Sequence, residues 1–387
     1  MADLTHHEPW DLTDEQRARY REISASSREA KRLAMSGDGP EPLHPINTPL
    51  LSPLDLMPQR ATNGLRALSL FSGGGGLDIA FERAGFEHAG SYEILQPAAD
   101  TLVKARPEWE VFGGDSGDVT SVDWAPHQGE VDIVHGGPPC QPFSAAGRQR
   151  GAADIRDMFP EFVRAVTTIR PKGFVAENVP ALLQRKFERY VRSTILKPLS
   201  ADYEVKRFVL HAQSFGVPQV RKRVFFVGIR RDLDVGPVAE PAPSHRHHDG
   251  TLPTEGEHDG LPRCMGARQA LGLPDIGFDA PAPTLRSTLT GPRKTTSIVS
   301  SASAARKWAA LEIWPNGVAT DREKARAFVA NNGHFRLSVP DCAVLQGFPE
   351  DWPLQGPTYM MLGQIGNAVP PPLGYSVASA LADAIGG

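Results

Sequence analysis

Short apolar runs alternate with amphipathic segments through the middle of the chain. The runs typical of buried strands are Leu65–Leu70, Gly90–Leu95, Val131–Val134, Phe174–Ala176, Val205–Leu210 and Val224–Gly228. The segments with apolar residues at helical spacing are Leu77–Ala84, Pro97–Ala105, Met158–Ile169 and Leu182–Leu199. Such alternation favours a parallel or mostly parallel sheet. The sequence therefore predicts an α/β fold with helices on both faces of one sheet.

The regions outside this pattern differ in texture. Residues 1–60 are polar and rich in proline, with one helix-like segment, Thr13–Met35. Residues 232–277 are rich in Pro, Gly, His and Ser, and residues 278–335 have a strand-and-loop texture with no helical period. An apolar-periodic helix, Pro371–Ile385, follows. We expect an accessory arm, a sheet domain and a smaller, irregular domain that contains strands.

Charge is spread unevenly along the 387 residues, whose formal net charge is −4. Residues 185–231 carry twelve Lys and Arg against three Asp and Glu, and residues 286–336 carry nine against three. Such regions occur on solvated helical faces and also on clefts that face phosphates, so charge alone leaves both interpretations open. The run from His245 to His248 lacks the ligand spacing of a metal site, and we expect no metal.

Cysteine usage indicates a reducing compartment. The cysteines Cys140, Cys264 and Cys342 are far apart and odd in number, which argues against a disulfide framework. Residues 1–10 lack the pattern of a signal peptide, and no apolar stretch approaches membrane-spanning length. We therefore expect a cytoplasmic protein that does not enter a membrane.

A glycine-rich turn, Gly73 to Gly76, follows the first predicted strand and opens a helix. Its glycines let the backbone approach a ligand, and the helix N-terminus offers unpaired amides to a carboxylate or phosphate. Glu93 ends the next strand, where an acid commonly binds ribose hydroxyls. Asp115 ends the third segment, placed to accept from an exocyclic amine. Either acid alone is more typical of a solvated loop or a helix cap, but together these features predict an adenosine pocket.

Cys140 follows another short predicted strand, directly after Pro138 and Pro139. The prolines fix the backbone and hold the thiol in one orientation. Free cysteine is often a buried structural thiol. The turn by itself leaves open whether Cys140 is such a thiol or a displayed nucleophile.

Five short motifs then occur in one order from residue 71 onward. They are Phe71-Ser72-Gly73-x-Gly75-Gly76-Leu77, Pro139-Cys140-Gln141, Glu177-Asn178-Val179, Gln219-x-Arg221-x-Arg223 and Gly366-Asn367-Ala368-Val369. Weaker matches are Asp154-x-Arg156-x-Met158-Phe159, Arg336-Leu337-Ser338 and Leu345-Gln346-Gly347-Phe348-Pro349. This ordered set resembles that of the DNA (cytosine-5) methyltransferases. Only residues 1–60 and roughly 233–333 lie outside the resemblance.

The resemblance implies a Rossmann-like, S-adenosylmethionine-dependent methyltransferase sheet with a smaller target-recognition domain. We expect an N-terminal accessory arm at 1–60 and a catalytic methyltransferase domain at 61–232. The target-recognition domain is expected at 233–358, and a return of the chain to the catalytic domain at 359–387.

The resemblance also implies catalytic roles. Cys140 is expected to add to carbon 6 of cytosine, because carbon 5 is a poor nucleophile until a thiolate has been added. Glu177 is expected to hydrogen-bond ring nitrogen 3 and the amino group as an acid, and Arg223 to hold the ring carbonyl at position 2. Arg221 and Gln219 are expected to support them. The sequence names no base for the proton at carbon 5.

The methyl donor implied is S-adenosylmethionine, released as S-adenosylhomocysteine, with no metal. Phe71 is expected to pack against the adenine, Glu93 to bind the ribose hydroxyls and Asp115 the adenine amine. The expected cofactor-binding residues are Phe71, Ser72, Gly73, Gly75, Gly76, Leu77, Glu93, Asp115, Pro139, Met158, Asn367 and Ala368.

The substrate implied is double-stranded DNA, from which cytosine must be flipped out. Residues 144–151, small and basic, suit a loop that closes over phosphates. Residues 284–296 carry Arg and Thr side chains able to contact base edges. The expected DNA-binding residues are Ser144, Arg148, Arg150, Arg156, Arg286, Arg293, Lys294 and Thr295.

We expect a bacterial modification enzyme, monomeric, paired with a restriction endonuclease and associated with the nucleoid when on DNA. One alternative is methylation of cytosine in tRNA, against which the long Thr- and Arg-rich region argues. Another is a non-catalytic DNA-binding regulator, against which the complete set of catalytic motif residues argues. A nicotinamide-dependent oxidoreductase lacks a regular Gly-x-Gly-x-x-Gly and leaves Cys140 without a role.

Overall fold

The computed structural model describes residues 13–36, 38, 44–139, 157–249, 260–289, 295–327 and 333–386. The helices in these residues are α1 Asp14–Ser36, α2 Gly76–Arg83, α3 Gln96–Ala105, α4 Phe159–Ile169, α5 Glu188–Tyr190, α6 Lys197–Leu199, α7 Ala267–Ala270, α8 Ala302–Ala310, α9 Arg322–Arg326, α10 Val339–Gln346, α11 Thr358–Asn367 and α12 Pro371–Gly386. The strands are β1 Arg66–Leu70, β2 Glu87–Glu93, β3 Val111–Gly113, β4 Ile133–Gly136, β5 Gly173–Asn178, β6 Tyr203–His211, β7 Gln219–Val220, β8 Lys222–Arg230, β9 Ala282–Pro283, β10 Ile313–Ala319 and β11 Phe335–Ser338. None of the described helices is both long and apolar enough to cross a membrane.

One seven-stranded sheet, in the order β3-β2-β1-β4-β5-β8-β6, organises the molecule. The strands from β3 to β5 in this order pair in parallel. β8 lies between β5 and β6 and is antiparallel to both. The strand order reverses between β1 and β4. Open α/β sheets bind ligands at such a reversal, beyond the carboxyl ends of the strands.

The central strands are apolar on both sides, which explains why helices cover both faces. Val134 and Phe174 pack in the cluster that contains α4, whereas Ile133 and Val175 pack in the cluster that contains α2 and α12. Successive residues of a strand point to opposite faces, so each layer takes alternate positions of β4 and β5. The predicted mostly parallel sheet with helices on both faces is confirmed.

A third apolar cluster forms the smaller part of the molecule. It includes Trp308 of α8, Ile313 of β10 and Leu337 of β11, all buried, and β10 pairs in parallel with β11. α10 begins with a capping box, in which the Asp341 carboxylate accepts from the Ser338 amide at 2.8 Å and the Ser338 hydroxyl accepts from the Asp341 amide. This reciprocal pairing satisfies two amides at the start of α10.

The expectation that residues 278–335 contain no helix is wrong. α8 and α9 both lie there, and each begins at a side chain that caps it. Ser301 accepts a hydrogen bond from the Ala304 amide, and Asp321 accepts one from the Lys324 amide. Ser and Asp are favoured helix caps. The signal for α8 and α9 in the sequence was therefore the capping residue, and not an apolar periodicity.

The expected helix Leu182–Leu199 is interrupted. A 3₁₀ turn, Pro180–Leu183, ends at Gln184, whose φ of −63° and ψ of 145° are extended. A second 3₁₀ turn, Arg185–Phe187, follows, and residues Val191–Leu196 between α5 and α6 form a π-helix. An extended residue cannot continue the helical hydrogen bonds, so the helical part begins after Gln184.

Residues 44–60 pack against the body of the molecule, although the sequence places them in the accessory arm. Leu51 and Met57 are buried. Arg83 Nε donates to the carbonyl oxygen of Met57 at 2.7 Å, and Asn47 Nδ2 donates to Asp341 Oδ1 at 2.9 Å. The segment therefore connects α10 to α2, and we propose that the accessory arm ends before residue 44.

Candidate active site

β1 leads into a turn whose backbone is left-handed at several positions. Phe71, Gly73 and Gly75 have φ values of 56°, 56° and 87°, and Gly75 is the N-cap of α2. A side chain at Gly76 would place its Cβ 2.5 Å from the carbonyl oxygen of Val369, so only glycine fits. The turn brings its backbone close to the N-terminus of α2, where a carboxylate or phosphate is favoured.

Glu93 supports this turn from the end of β2. Its Oε2 accepts from the Gly73 amide and its Oε1 from the Leu95 amide, each at 2.7 Å. Burial raises the pKa of Glu93, and the two amides oppose that shift. Each carboxylate oxygen keeps a second lone pair, so the group still fits a ligand that offers hydroxyl donors.

Segments from the C-terminal part of the chain cover the turn. Trp352 Nε1 donates to the carbonyl oxygen of Gly74 at 2.8 Å. A Cβ at Gly74 would lie 3.1 Å from Gln364 Cβ. After α11, Asn367 is exposed and Ala368 is half-buried. The end of α11 therefore lies beside the glycine turn.

Glu177 and Arg223 form a buried ion pair at the carboxyl end of β5. Arg223 Nε lies 2.6 Å from Glu177 Oε1, and the two side chains are 11% and 8% exposed. Burial raises the pKa of Glu177, whereas the positive charges of Arg223 and Arg221 oppose the shift. Because burial favours its protonated form, this carboxyl group is suited to donate a hydrogen bond or a proton.

The turn that leads to Cys140 is attached to β5. Asn178 Nδ2 donates to the carbonyl oxygen of Pro138 at 3.0 Å. A Cβ at Gly137 would lie 3.0 Å from Glu177 Oε2, so the turn passes within contact distance of that carboxylate. Cys140 itself lies outside the described residues.

The other two cysteines are poor nucleophiles. Cys264 and Cys342 are both buried. Burial raises the pKa of the Cys264 thiol to about 12 and that of the Cys342 thiol well above its ordinary value. The thiolate is the reactive form of cysteine, so Cys140 is the remaining candidate nucleophile.

Residues 65–383 match the family model described as C-5 cytosine-specific DNA methylase. The chain belongs to this family. The Type II methyltransferase M.NgoMIV of Neisseria gonorrhoeae is 32% identical over 325 residues, which cover 82% of this chain and 97% of the relative. The Type II methyltransferase M.Eco47II of Escherichia coli is 32% identical over 348 residues, which cover 83% and 79%. The chain is thus a DNA (cytosine-5) methyltransferase of the restriction-modification type.

Solved structures share the fold. A putative DNA modification methyltransferase encoded within an E. coli prophage has a TM-score of 0.54 and 22% identity, over 83% of this chain and 99% of that chain. A Spodoptera frugiperda DNMT2 variant has a TM-score of 0.55 and 17% identity, over 83% and 99%. The fold is therefore shared with these two proteins.

Two residues of the methyltransferase motifs join segments of the chain instead of facing an open site. Arg221 Nη2 donates to the carbonyl oxygens of Gly366 and Ala368 at 2.9 and 2.7 Å. Gln219 Nε2 donates to the carbonyl oxygen of Leu345 at 3.0 Å. Both side chains are buried, at 3% and 0% exposure. Gln219 Nε2 also donates to Gln346 Oε1 at 2.8 Å, and the charge of Arg221 opposes the rise in the pKa of Glu177; that the two residues support Glu177 and Arg223 stays a prediction.

The remaining expected cofactor residues lie on several elements. Ser72 and Leu77 are buried, and Pro139 is half-buried. Met158 is half-buried at the N-cap of α4, and Asp115 is exposed just after β3.

Ile94 directly follows Glu93 and has a side chain that is 57% exposed.

Few of the expected DNA-binding residues are described. Arg286 and Thr295 are half-buried, and the Leu285 amide donates to Gln219 Oε1 at 3.3 Å. The chain just before Arg286 is therefore held to β7. The expected residues that lie outside the described ones are Ser144, Arg148, Arg150, Arg156, Arg293 and Lys294.

The structure offers no candidate metal centre within the residues it describes. There, no group of three or more His, Cys, Asp or Glu could hold a metal ion. His247, from the histidine run, shares a hydrogen bond of 3.1 Å between its Nε2 and Ser214 Oγ.

Proposed function

We propose that this chain transfers the methyl group of S-adenosylmethionine to carbon 5 of a cytosine flipped out of a specific double-stranded DNA site. One observation carries the proposal: the Glu177–Arg223 pair contacts the turn that leads to Cys140. That turn follows β4, and β4 lies directly between β1 and β5. Glu177, Arg223 and the turn before Cys140 therefore lie at the same end of the strands as the glycine turn.

The chain's own residues suit the methyl donor. The turn from Gly73 to Gly76 offers backbone amides at the start of α2 to the methionine carboxylate. Glu93 would accept from the ribose hydroxyls, and Phe71 would pack against the adenine. Asp115 would accept from the adenine amine. S-adenosylmethionine, when bound, supplies a methyl group that a nucleophilic carbon can take.

The nucleophile in our scheme is the Cys140 thiolate. It forms a bond to carbon 6 of cytosine, and the electron pair of the double bond between carbons 5 and 6 becomes available at carbon 5. Glu177 donates to ring nitrogen 3, which relieves the charge that builds on the ring, and Arg223 holds the carbonyl at position 2. Carbon 5 would take the methyl group with this electron pair as the bond from the methyl group to the donor sulfur breaks, which leaves S-adenosylhomocysteine. Loss of the proton from methylated carbon 5 restores the double bond and expels Cys140 as a thiolate.

Sequence readout is proposed for the region 233–358, with Arg286 and Thr295 among the contacts. Arg pairs bidentately with guanine, and Thr methyl groups meet thymine methyl groups. The Type II relatives support pairing with a restriction endonuclease. We propose that the enzyme acts as a monomer.

Expression in a host that lacks cytosine methylation, followed by bisulfite sequencing of its DNA and tRNA, tests this function. We expect one short DNA motif to be protected from conversion, with no protection in tRNA. A Cys140→Ser chain, expressed at the same level, should leave all cytosines convertible. Protection confined to tRNA, or equal protection by the Cys140→Ser chain, would contradict the proposal.

A further inference from the structure

A buried carboxyl group, Asp78, lies beneath the glycine turn and has no role in the chemistry above. It is the third residue of α2 and is 3% exposed. Its Oδ1 accepts from the Ser91 hydroxyl at 2.7 Å. A buried carboxylate is costly unless it is hydrogen-bonded. The presence of such a group between α2 and the sheet therefore calls for a physical reason.

Ser91, the hydrogen-bond partner of Asp78, belongs to a row of polar residues across the sheet. Ser69 of β1 is paired with Ser91 of β2 on one side and with His135 of β4 on the other. Side chains in one row of a parallel sheet point to the same face. Asp78 contacts Ser91, and Phe81, one turn further along α2, stacks on His135 with ring centroids 4.0 Å apart.

The same network reaches the glycine turn. The Ser72 hydroxyl, inside the turn, donates to the Ser69 hydroxyl at 2.8 Å. Ser69 is the strand neighbour of Ser91, whose hydroxyl donates to Asp78 Oδ1. The hydroxyls of Ser72, Ser69 and Ser91, here called the hydroxyl chain, thus lie between the start of the glycine turn and the first turn of α2. Glu93 holds the middle of the turn through the Gly73 amide.

We propose that Asp78 is a positioning residue for the methyl-donor site, because its hydrogen bond to Ser91 ties α2 to β2, the strand whose Glu93 holds the glycine turn. Buried polar groups can specify register where apolar packing alone tolerates sliding. The Ser91–Asp78 hydrogen bond of 2.7 Å requires a fixed distance and direction between α2 and β2. The inference rests on the proposed use of S-adenosylmethionine.

Binding and kinetics on the full chain separate this role from simple stability. Asp78→Ala should raise the dissociation constant and the KM for S-adenosylmethionine about tenfold, with kcat within about twofold, because it loosens a binding site and does not touch reacting atoms. Asp78→Asn keeps an acceptor oxygen for Ser91, so its KM for S-adenosylmethionine should stay within about threefold of the wild-type value. Ser91→Ala, which removes one hydroxyl, should raise the KM for S-adenosylmethionine about threefold. This variant tests the same hydrogen bond if Asp78→Ala does not fold.

Val163→Ala in α4 is the matched control. Val163 is buried in the apolar cluster on the other side of the sheet, so its truncation lowers the melting temperature without touching the hydroxyl chain. The KM of the Val163→Ala variant for S-adenosylmethionine should be unchanged. An unchanged KM in both Asp78→Ala and Ser91→Ala, or an equal rise in Val163→Ala, would overturn the positioning role. If the wild-type chain itself shows no binding in calorimetry, the proposed function fails instead.

Discussion

The guanidinium of Arg223 lies against the carboxylate of Glu177, with Nε 2.6 Å from Oε1 and both side chains largely buried. The contact follows from strand pairing, because antiparallel β8 sets Val224 opposite Asn178 and Phe225 opposite Glu177. Burial raises the pKa of Glu177, and the positive charge of Arg223 opposes that shift. The pair therefore combines an acid with a fixed positive charge at the edge where β4 and β5 end.

Removal of the acid should abolish chemistry but not binding. We expect Glu177→Gln to lower the rate of methyl transfer in single-turnover experiments by about 10²- to 10⁴-fold, since it removes the proton donor. The affinity for S-adenosylmethionine should stay near that of the wild type, because Glu177 does not line the glycine turn. Glu188→Gln, an exposed carboxylate, is the control. Wild-type rates in Glu177→Gln would exclude the assigned role.

The nucleophile can be identified by trapping. DNA that carries 5-fluorocytosine at the target position should form a covalent adduct that survives denaturation, because carbon 5 then has no proton to lose. Cys140→Ser should form none. Cys264→Ser and Cys342→Ser should trap normally, since burial keeps those thiols protonated. An adduct mapped by mass spectrometry to any residue but Cys140 would refute the mechanism.

Arg221 should matter for stability. Its guanidinium, directly after β7, donates to the carbonyl oxygens of Gly366 and Ala368. Arg221→Ala therefore removes a donor from both oxygens, of which that of Ala368 keeps the hydrogen bond from Gln346 Nε2. We expect a loss of about 2–4 kcal/mol in the free energy of unfolding, measured with urea. Arg207→Ala, at an exposed position of β6, should change it by less than about 0.5 kcal/mol. Equal losses in the two variants would count against this role of the Arg221 guanidinium.

His135 should make the protein sensitive to acid. Burial lowers the pKa of His135 to about 3, whereas an unfolded histidine titrates near pH 6.5. Between these values the unfolded chain binds a proton that the folded chain does not. This group should therefore lower the free energy of unfolding by about 1.4 kcal/mol for each unit that the pH falls. His135→Phe keeps a ring stacked on Phe81 and should flatten that slope, which urea denaturation from pH 7 to 4 measures. An unchanged slope would contradict the assignment.

Two truncations should behave differently. Deletion of residues 1–43 should leave the free energy of unfolding nearly unchanged, whereas deletion of residues 1–60 should lower it by several kcal/mol. The second removes the buried side chains of Leu51 and Met57, each of which contributes about 1.5–3 kcal/mol on burial. Thermal unfolding of both forms checks this. Equal melting temperatures would show that residues 44–60 are dispensable.

Local patterns in the sequence were enough to predict the sheet domain. Apolar runs of strand length correspond to β1, β5 and β8, and glycines after β1 mark the turn that opens α2. These features depend on residues close together in the chain, where periodicity, turn chemistry and caps act. The ordered motifs likewise identified the family, because their residue types are constrained by the reaction.

The sequence determined the fold class, the family and the candidate acid and nucleophile. Tertiary structure decided that Arg221 and Gln219 hold segments together, that residues 44–60 belong to the body, and that Asp78 links α2 to the sheet. Each of these depends on a partner distant in the chain, such as Ala368 for Arg221 or Asp341 for Asn47. No local periodicity encodes such pairs, because they arise only when the strands are ordered and the C-terminal helices close over the glycine turn.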